Sequence, residues 1–381
     1  MIQIDFFDKD IVSTLLPIKT MQPEGVFFLT DKRMTGSREI RQVQEAIRDI
    51  LPETEVEFRP VNIDDLENIY GELKTLIEAV GSEIGCIDLT GGTELMTIAG
   101  FRAASEYGIL PIYVDVRREH VINALTGEQL ADCRHVTLDE CLTAVGAKRL
   151  SASHDLPEPE EYERITSMAE LLIDHVEAWQ ELYQHLANSV NGQNASMTAR
   201  IVKGFGKYTN QVLNLCDAFS TYGFWTQVED QAYRFNSLKY KRYMTNFGIW
   251  LEMYVYIKAL RVFDGAELGV VIDWNEADRV DTEDNEIDVL VMRRSVPIFI
   301  SCKMRKPVSA DLYEVGYLAE RLGGERARAL LATSFPVKEL GTSPKRMYNR
   351  MKKLKVGLIE ASSFREMPAS DVFNQAVQMT D

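Results

Sequence analysis

The sequence predicts an α/β protein: a Rossmann-like N-terminal domain over residues 1–150, a helical connector over 151–240 and a second α/β domain over 241–381. Three observations carry this. Between Gly25 and Ile122 short apolar runs alternate with stretches of helical periodicity; the composition shifts after Leu150; and the pattern changes again beyond Phe247. A chain of 381 residues has room for two full hydrophobic cores.

In the first domain, Gly25 to Thr30 reads as a strand. Ile40, Val43, Ile47, Ile50 and Leu51 recur at helical spacing, and Val56 to Val61 is β-like. Leu66, Ile69, Tyr70, Leu73, Leu76, Ile77 and Val80 form an amphipathic stripe, and Ile84 to Asp88 is a third strand. A glycine turn leads into a helix over 94–107, followed by the strand Leu110 to Val114 and a hairpin through Val121. After Leu150, SASHDLPEPEEYE has the Ser, Pro and Glu of a linker and runs into an acidic helix through Ile165, Leu172, Val176 and Trp179. NSVNGQNAS (188–196) reads as a loop between helices. Beyond Phe247 come a helix, a β-hairpin, a helix, the strand Ala329 to Thr333 and a basic helix.

The N-terminus lacks the basic stretch and apolar run of a leader, and no segment approaches the roughly 18 apolar residues of a membrane span, so a cytoplasmic protein away from membranes is expected. The five cysteines contain no CxxC pair, and the five histidines fit no zinc spacing, which argues against disulfide and structural-zinc frameworks. A formal net charge of −16 disfavours non-specific attraction to nucleic acid, so any such contact needs a local basic patch. Seven basic residues between Lys338 and Lys355, against the single acid Glu339, form one.

Asp88-Leu89-Thr90-Gly91-Gly92-Thr93 lies between a strand and a helix. There, paired glycines let a phosphate or ribose approach backbone N–H groups at a helix N-terminus; a plain threonine-capped turn has the same spacing. It is neither a GxGxxG fingerprint nor a GxxxxGK[ST] loop, so dinucleotide redox chemistry and ATP hydrolysis have little support.

Strand, Asp88 to Thr93 and helix resemble the signature loop of CARF domains, the cyclic-oligoadenylate sensors of type III CRISPR systems. The resemblance implies a second ligand loop after the first strand, at Thr30, Asp31, Lys32 and Arg33, with Ser37 opening the next helix. Glu94 stands where many such domains have lysine, leaving Lys32, Arg33 or Arg102 to meet phosphates. It further implies a homodimer that binds one ring, cyclic tetra-adenylate, across its two-fold axis.

In the C-terminal part, GIWLEMYVY is apolar almost all round yet contains Glu252, a carboxylate that needs a cation, a donor or a proton if it is buried. Next come Asn285-Glu286-Ile287-Asp288-Val289-Leu290-Val291, the turn Arg293 to Val296, and Pro297-Ile298-Phe299-Ile300-Ser301-Cys302-Lys303. Register centred on the turn sets Asp288 opposite Ser301 and Glu286 opposite Lys303, with all four on one face. An amphipathic hairpin with an exposed ion pair would give the same alternation. Two acids and a lysine suit phosphodiester hydrolysis, in which carboxylates hold Mg²⁺ or Mn²⁺ and the lysine orients the nucleophile or stabilises developing charge.

The order helix acid, strand acid, strand-x-lysine resembles PD-(D/E)xK nucleases, and GIWLEMYVY, NEIDVLV and FISCK together resemble the restriction-endonuclease-like half of CARF-fused CRISPR ancillary nucleases. The resemblance makes Asp288 the principal metal ligand, Lys303 the catalytic lysine and Glu252 the supporting acid. Ser301 stands where the pattern has Asp or Glu, so Glu286 or Glu252 would supply the missing carboxylate; Glu314 is a further supporting candidate. The function implied is an effector-activated, metal-dependent nuclease acting on single- or double-stranded DNA or RNA in antiviral defence. The alternative is a ligand-responsive nucleic-acid-binding regulator without nuclease activity, with a helix-turn-helix over 197–245 carrying Arg200, Lys203, Lys207, Lys239, Lys241 and Arg242.

Overall fold

The computed structural model describes residues 1–8, 10–116, 118–151, 155–190, 196–201, 204–263, 265–274, 285–336 and 344–380. The N-terminal elements are β1 (Ile2–Phe6), α1 (Ile11–Met21), β2 (Gly25–Asp31), α2 (Arg38–Ile50), β3 (Glu55–Val61), α3 (Leu66–Val80), β4 (Ile84–Asp88), α4 (Glu94–Tyr107), β5 (Leu110–Asp115), β6 (His120–Asn123), β7 (Gln129–Asp132) and α5 (Leu138–Ala144). Their sheet has the order β3-β2-β1-β4-β5-β6-β7, parallel through β5 and antiparallel beyond it. Two apolar clusters, one around Val12, Phe28 and Val43 and one around Phe6, Leu73 and Ala103, cover its two faces. This is the doubly wound Rossmann-like arrangement, whose order reverses at β1 and β4 and so opens a crevice beyond their C-terminal ends.

The central strand β1 and helix α1 lie before Gly25, where the sequence pattern places the start of the sheet. Gln3 and Asp5 give β1 the polar alternation of a half-exposed strand, although both are fully buried. The loop at Thr30 to Arg33 consequently follows the second strand, and a further loop, at Phe7 and Asp8, follows the first.

The strand β8 (Lys148–Ser151) leaves the first sheet and pairs antiparallel with the C-terminal one. Then come α6 (Tyr162–Asp174), α7 (Val176–Val190), β9 (Thr198–Arg200), α8 (Thr209–Thr221), β10 (Trp225–Glu229), β11 (Ala232–Phe235) and α9 (Leu238–Met244). The small sheet has the order β10-β11-β9, so α7, β9, α8, β10 and β11 trace a winged-helix topology. Helix α7 extends to Val190, into the stretch expected as a loop; the rest of that loop through 195, like Lys203, lies outside the described residues.

The C-terminal part comprises α10 (Ile249–Ala259), β12 (Ala266–Asp273), β13 (Asn285–Arg293), β14 (Val296–Lys303), α11 (Ser309–Gly323), β15 (Arg328–Thr333), α12 (Pro344–Lys353), β16 (Val356–Glu360), α13 (Ser363–Glu366) and α14 (Ala369–Gln378). Its sheet order is β16-β15-β14-β13-β12-β8. One face, with Val289, Ile298 and Ile300, packs on α10 and on α6 to α8 in a single cluster; the other, with Leu290 and Phe299, packs on Leu312, Val315 and Leu318 of α11. Helix α5, tied to α1 by the ion pair Lys19–Glu140 (2.6 Å), sends Leu138 and Leu142 into the latter cluster, and the ion pair Arg294–Glu119 (3.1 Å) adds to the contact between N- and C-terminal parts. The chain is thus an α/β protein with a Rossmann-like N-terminal domain, a mainly helical middle with a small three-stranded sheet, and a second α/β domain. Among the described residues, no helix is long and apolar enough to cross a membrane.

Candidate functional sites

Antiparallel pairing of β13 with β14 runs from Arg293↔Val296 to Val289↔Ile300 around the two-residue turn Arg294-Ser295, where Arg294 has φ 61°. This is the register centred on the turn, but beyond Val289 the strands part. β13 stays paired with β12 through Asn285, and β14 stays paired with β15 through Lys303. Asp288 sits at the parting, and its Oδ2 spans the gap. It accepts from Cys302 N (2.6 Å) and Ser301 Oγ (3.3 Å), with Lys303 Nζ 3.8 Å away. Glu286, Asp288, Ser301 and Lys303 line one small cavity of about 30 Å³ with Glu314, Val315 and Leu318, room for a single water.

Glu252 approaches from the other face. It lies in the first turn of α10, half-buried, with Oε1 turned back to 3.0 Å from where a Cβ on Gly248 would be. Burial, then the charges of Asp288 and Glu286, push its carboxyl up to about 8, against the opposing pull of Lys303. Burial likewise raises Asp288, while Lys303, Cys302 N and Ser301 pull it down. The Cys302 thiol, behind Asp288 on the α10 side, is raised by burial and by both carboxylates. The charge of Asp288 raises Glu252, so the two carboxylates lie near each other, and carboxylate oxygens are the donor type of a hard divalent ion. Among the described residues, no group of three or more Asp, Glu, His or Cys side chains is placed to hold a metal ion. Glu286 is exposed at the start of β13.

The second site lies in the crevice at β1, β2 and β4. A cavity of about 610 Å³ is lined by Phe7, Asp8, Asp31, Arg33, Met34, Ser37, Glu39, Ile63, Gly92, Thr93 and Met96. Five residues expected there are thus present: Asp31, Arg33, Ser37, Gly92 and Thr93. Gly92 has φ 81°, and a Cβ would stand 2.6 Å from Phe6 Cβ; its N–H donates to Asp8 Oδ2 at 3.2 Å. Thr93 caps α4 through Met96 N (3.3 Å), and Ser37 caps α2 through Ile40 N (3.3 Å). Both helix starts therefore face the cavity with N–H groups, a setting for anions.

Thr30, Lys32, Asp88, Thr90 and Gly91 do not line the cavity; they shape it or stand apart. Asp88 is fully buried and accepts from Thr90 Oγ1 (2.6 Å) and Thr90 N (3.1 Å), while Thr90 Oγ1 also accepts from Val114 N (2.8 Å). The Thr90 hydroxyl is thus committed within the fold. Gly91 leaves 2.7 Å between a would-be Cβ and Phe6 O; Thr30 is buried and Lys32 exposed. Burial pushes Asp88 up to about 7, and burial together with Asp88 raises Asp5. Arg102 pairs with Glu67 (3.0 Å) and lies 3.8 Å over the Tyr70 ring. Sequence reasoning missed Phe7, Asp8, Met34, Glu39, Ile63 and Met96; the signal for the first two was the alternating run Ile2 to Phe6 ending in Asp8.

A Rossmann-like domain carrying a threonine-capped glycine loop is thus joined to a second α/β domain in whose sheet an acid and a lysine meet where two strands part, and solved structures share this fold. Protein VC1899 from Vibrio cholerae has this fold over its length, with TM-score 0.78 and 18% identity, covering 100% of this chain and 98% of that one. Can2 from Sulfobacillus thermosulfidooxidans, solved in complex with cyclic tetra-adenylate, aligns with TM-score 0.70 and 16% identity over 100% of this chain and 99% of that one. A type III CRISPR defence DNA nuclease activated by cyclic oligoadenylate aligns with TM-score 0.51 and 14% identity, covering 87% of this chain and 45% of that one. No protein-family model and no curated protein sequence matches the chain.

Proposed function

We propose that this chain is a cytoplasmic, divalent-metal-dependent nuclease switched on by a cyclic oligoadenylate, most simply cyclic tetra-adenylate, in type III CRISPR antiviral defence. The observation that carries the proposal is the Asp288–Lys303 pair at the parting of β13 and β14, with Glu252 behind it, in a chain that also holds a roomy cavity at two helix N-termini. The full-length similarity to Can2, solved with cyclic tetra-adenylate, supports the choice of effector.

A Mg²⁺ or Mn²⁺ ion, held by Asp288 and Glu252 with Glu286 at the margin, would supply charge neutralisation at the scissile phosphate. The chain's own residues do the rest. Cys302 N and Ser301 Oγ hold Asp288 Oδ2 in place, so its carboxylate keeps one orientation. Lys303 Nζ, next to the water-sized cavity, orients the attacking water and stabilises charge developing on the phosphate oxygens. In the N-terminal domain, the helix starts at Ser37 and Thr93 receive phosphates, with Arg33, held by Asp31 through Nε at 2.7 Å, at the rim. The exposed Ile98 and Phe101 on α4, beyond the glycine loop, support pairing of two copies about the ring.

The winged-helix topology favours the alternative of a DNA-binding regulator, but its charges do not. Helix α8, which would enter a groove, has no Lys or Arg and exposes Asp217, and the wing tip carries Glu229 and Asp230. To test the main proposal, the protein is incubated with Mn²⁺ and nucleic acid, single- and double-stranded, with and without cyclic oligoadenylates. Effector-dependent cutting is expected; effector-dependent retention of DNA without cutting would establish the regulator instead.

A further inference from the structure

Trp274 follows β12 directly and is 6% exposed. Its three polar or ring contacts go to three different elements. Its carbonyl accepts from Arg38 Nη2 at 3.3 Å, and Arg38 is the first residue of α2, next to Ser37 of the effector cavity. Its Nε1 donates to Asn285 Oδ1 at 2.6 Å, and Asn285 opens β13 three residues before Asp288. Its ring lies under the Arg321 guanidinium at 3.7 Å, and Arg321 belongs to α11, whose Glu314, Val315 and Leu318 line the cavity beside Lys303. A second cavity of about 330 Å³ separates the N- and C-terminal parts here. Phe7, Asp8, Arg38, Glu39, Trp274 and Arg321 are among the residues lining it, and Phe7, Asp8 and Glu39 also line the effector cavity.

A buried tryptophan is ordinarily core, and this one does belong to the cluster around Leu290 and Val315. Core packing alone, however, does not require its carbonyl and its indole N–H to be committed to opposite domains. The space beside it also leaves α2 room to shift on this side. An element can carry a signal only if effector binding favours one of its arrangements over another, and Trp274 is placed for this, with its main-chain carbonyl tied to α2 and its indole to β13 and α11.

We infer that Trp274 is a positioning residue that couples the effector cavity to the catalytic strand, receiving movement of α2 through Arg38 and transmitting it to β13 through Asn285 and to α11 through Arg321. The inference rests on the effector-gated nuclease proposed above. Occupancy at Ser37 and Thr93 draws the start of α2, the indole follows, and the separation of Asp288 from Lys303 is set by where β13 and α11 come to rest.

The test uses the full chain with Mn²⁺, a labelled oligonucleotide and cyclic tetra-adenylate, measuring effector affinity, cleavage with and without effector, and melting temperature. Trp274→Phe keeps the ring and removes the donor to Asn285; Arg38→Ala removes the donor to the carbonyl, and Arg38→Lys restores a cation. Effector affinity is expected to stay within about twofold and basal cleavage by Arg38→Ala to stay unchanged, while stimulation falls about tenfold in both variants and recovers in part in Arg38→Lys. The double variant should be no worse than the weaker single one, because both cut one path. Stimulation equal to wild type in the single variants overturns the inference alone, and so does a loss that tracks melting temperature or effector affinity, since that is a structural role. A wild-type protein that no cyclic oligoadenylate stimulates brings down the gated-nuclease proposal itself.

Discussion

At Asp288 two donors and the Lys303 ammonium converge on a single carboxylate oxygen, Oδ2, and one of the donors is the backbone N–H of the residue just before Lys303. The acid and the lysine are therefore placed by one local network, and each should be indispensable to chemistry without being needed for effector binding. Replacing Lys303 by Ala or Asp288 by Asn is expected to lower effector-stimulated cleavage by about 100-fold or more, with effector affinity preserved in a direct titration. Cleavage that survives either change would move the active site elsewhere. In the other domain, Gly92 is held at φ 81° with Phe6 and Met96 against it, so Gly92→Ala meets both backbone strain and a clash. A loss of about 1–3 kcal/mol in a denaturant melt and weaker effector binding are expected; a variant that binds the effector like wild type would remove the loop from the site.

Among the elements, the middle segment is tied together by a buried carboxylate. Glu161 accepts from Lys239 Nζ (2.6 Å), Arg164 Nη2 (2.6 Å), Glu158 N (2.9 Å) and the Tyr240 hydroxyl, binding the start of α6 to α9. Burial would raise its carboxyl, but the Lys239 ammonium and the Tyr240 hydroxyl, with Glu158 N, outweigh that and hold it down at about 2, below the ordinary 4.5. A depressed folded-state value means that Glu161 contributes its stability above about pH 4.5 and loses it as the pH falls towards 2. Glu161→Gln should therefore cost on the order of 2–3 kcal/mol at pH 7 and progressively less below pH 4.5, read as converging melting temperatures of variant and wild type in acid. Parallel curves at all pH values would mean that the carboxylate's charge does not matter. Nearby, Trp179 of α7 and Trp250 of α10 both pack against Phe219 of α8, so the middle segment shares one core with the α10 face of the C-terminal sheet.

For the whole molecule, a net charge of −16 on 381 residues means that the nucleic acid of the proposed function would be drawn by local patches, such as the exposed Lys345, Arg346, Arg350, Lys352, Lys353 and Lys355; Lys338 lies outside the described residues. Light scattering is expected to show a dimer of the 43.3 kDa chain, with one cyclic ring bound per two chains; a monomer binding one ring per chain would refute the paired arrangement. Much of this molecule was legible in the sequence, because the features concerned are local. Helical stripes such as Ile69 to Val80, the glycine turn before α4, the hairpin at Arg294-Ser295 and the order Glu252, Asp288, Lys303 all follow from periodicity, turn chemistry and spacing along the chain. Other features depend on partners far away in sequence. β1 lies at the centre of its sheet although Gln3 and Asp5 make it look half-exposed, and β8 crosses from the end of one domain to the edge strand of another. Likewise, β13 and β14 part at Asp288 because β12 holds one and β15 the other. Which residue types stand along the chain as candidates for chemistry was thus determined by the sequence itself; where Asp288, Lys303 and Glu252 meet, and that Asp8 rather than Lys32 lines the N-terminal cavity, was decided only by pairing and burial between distant segments.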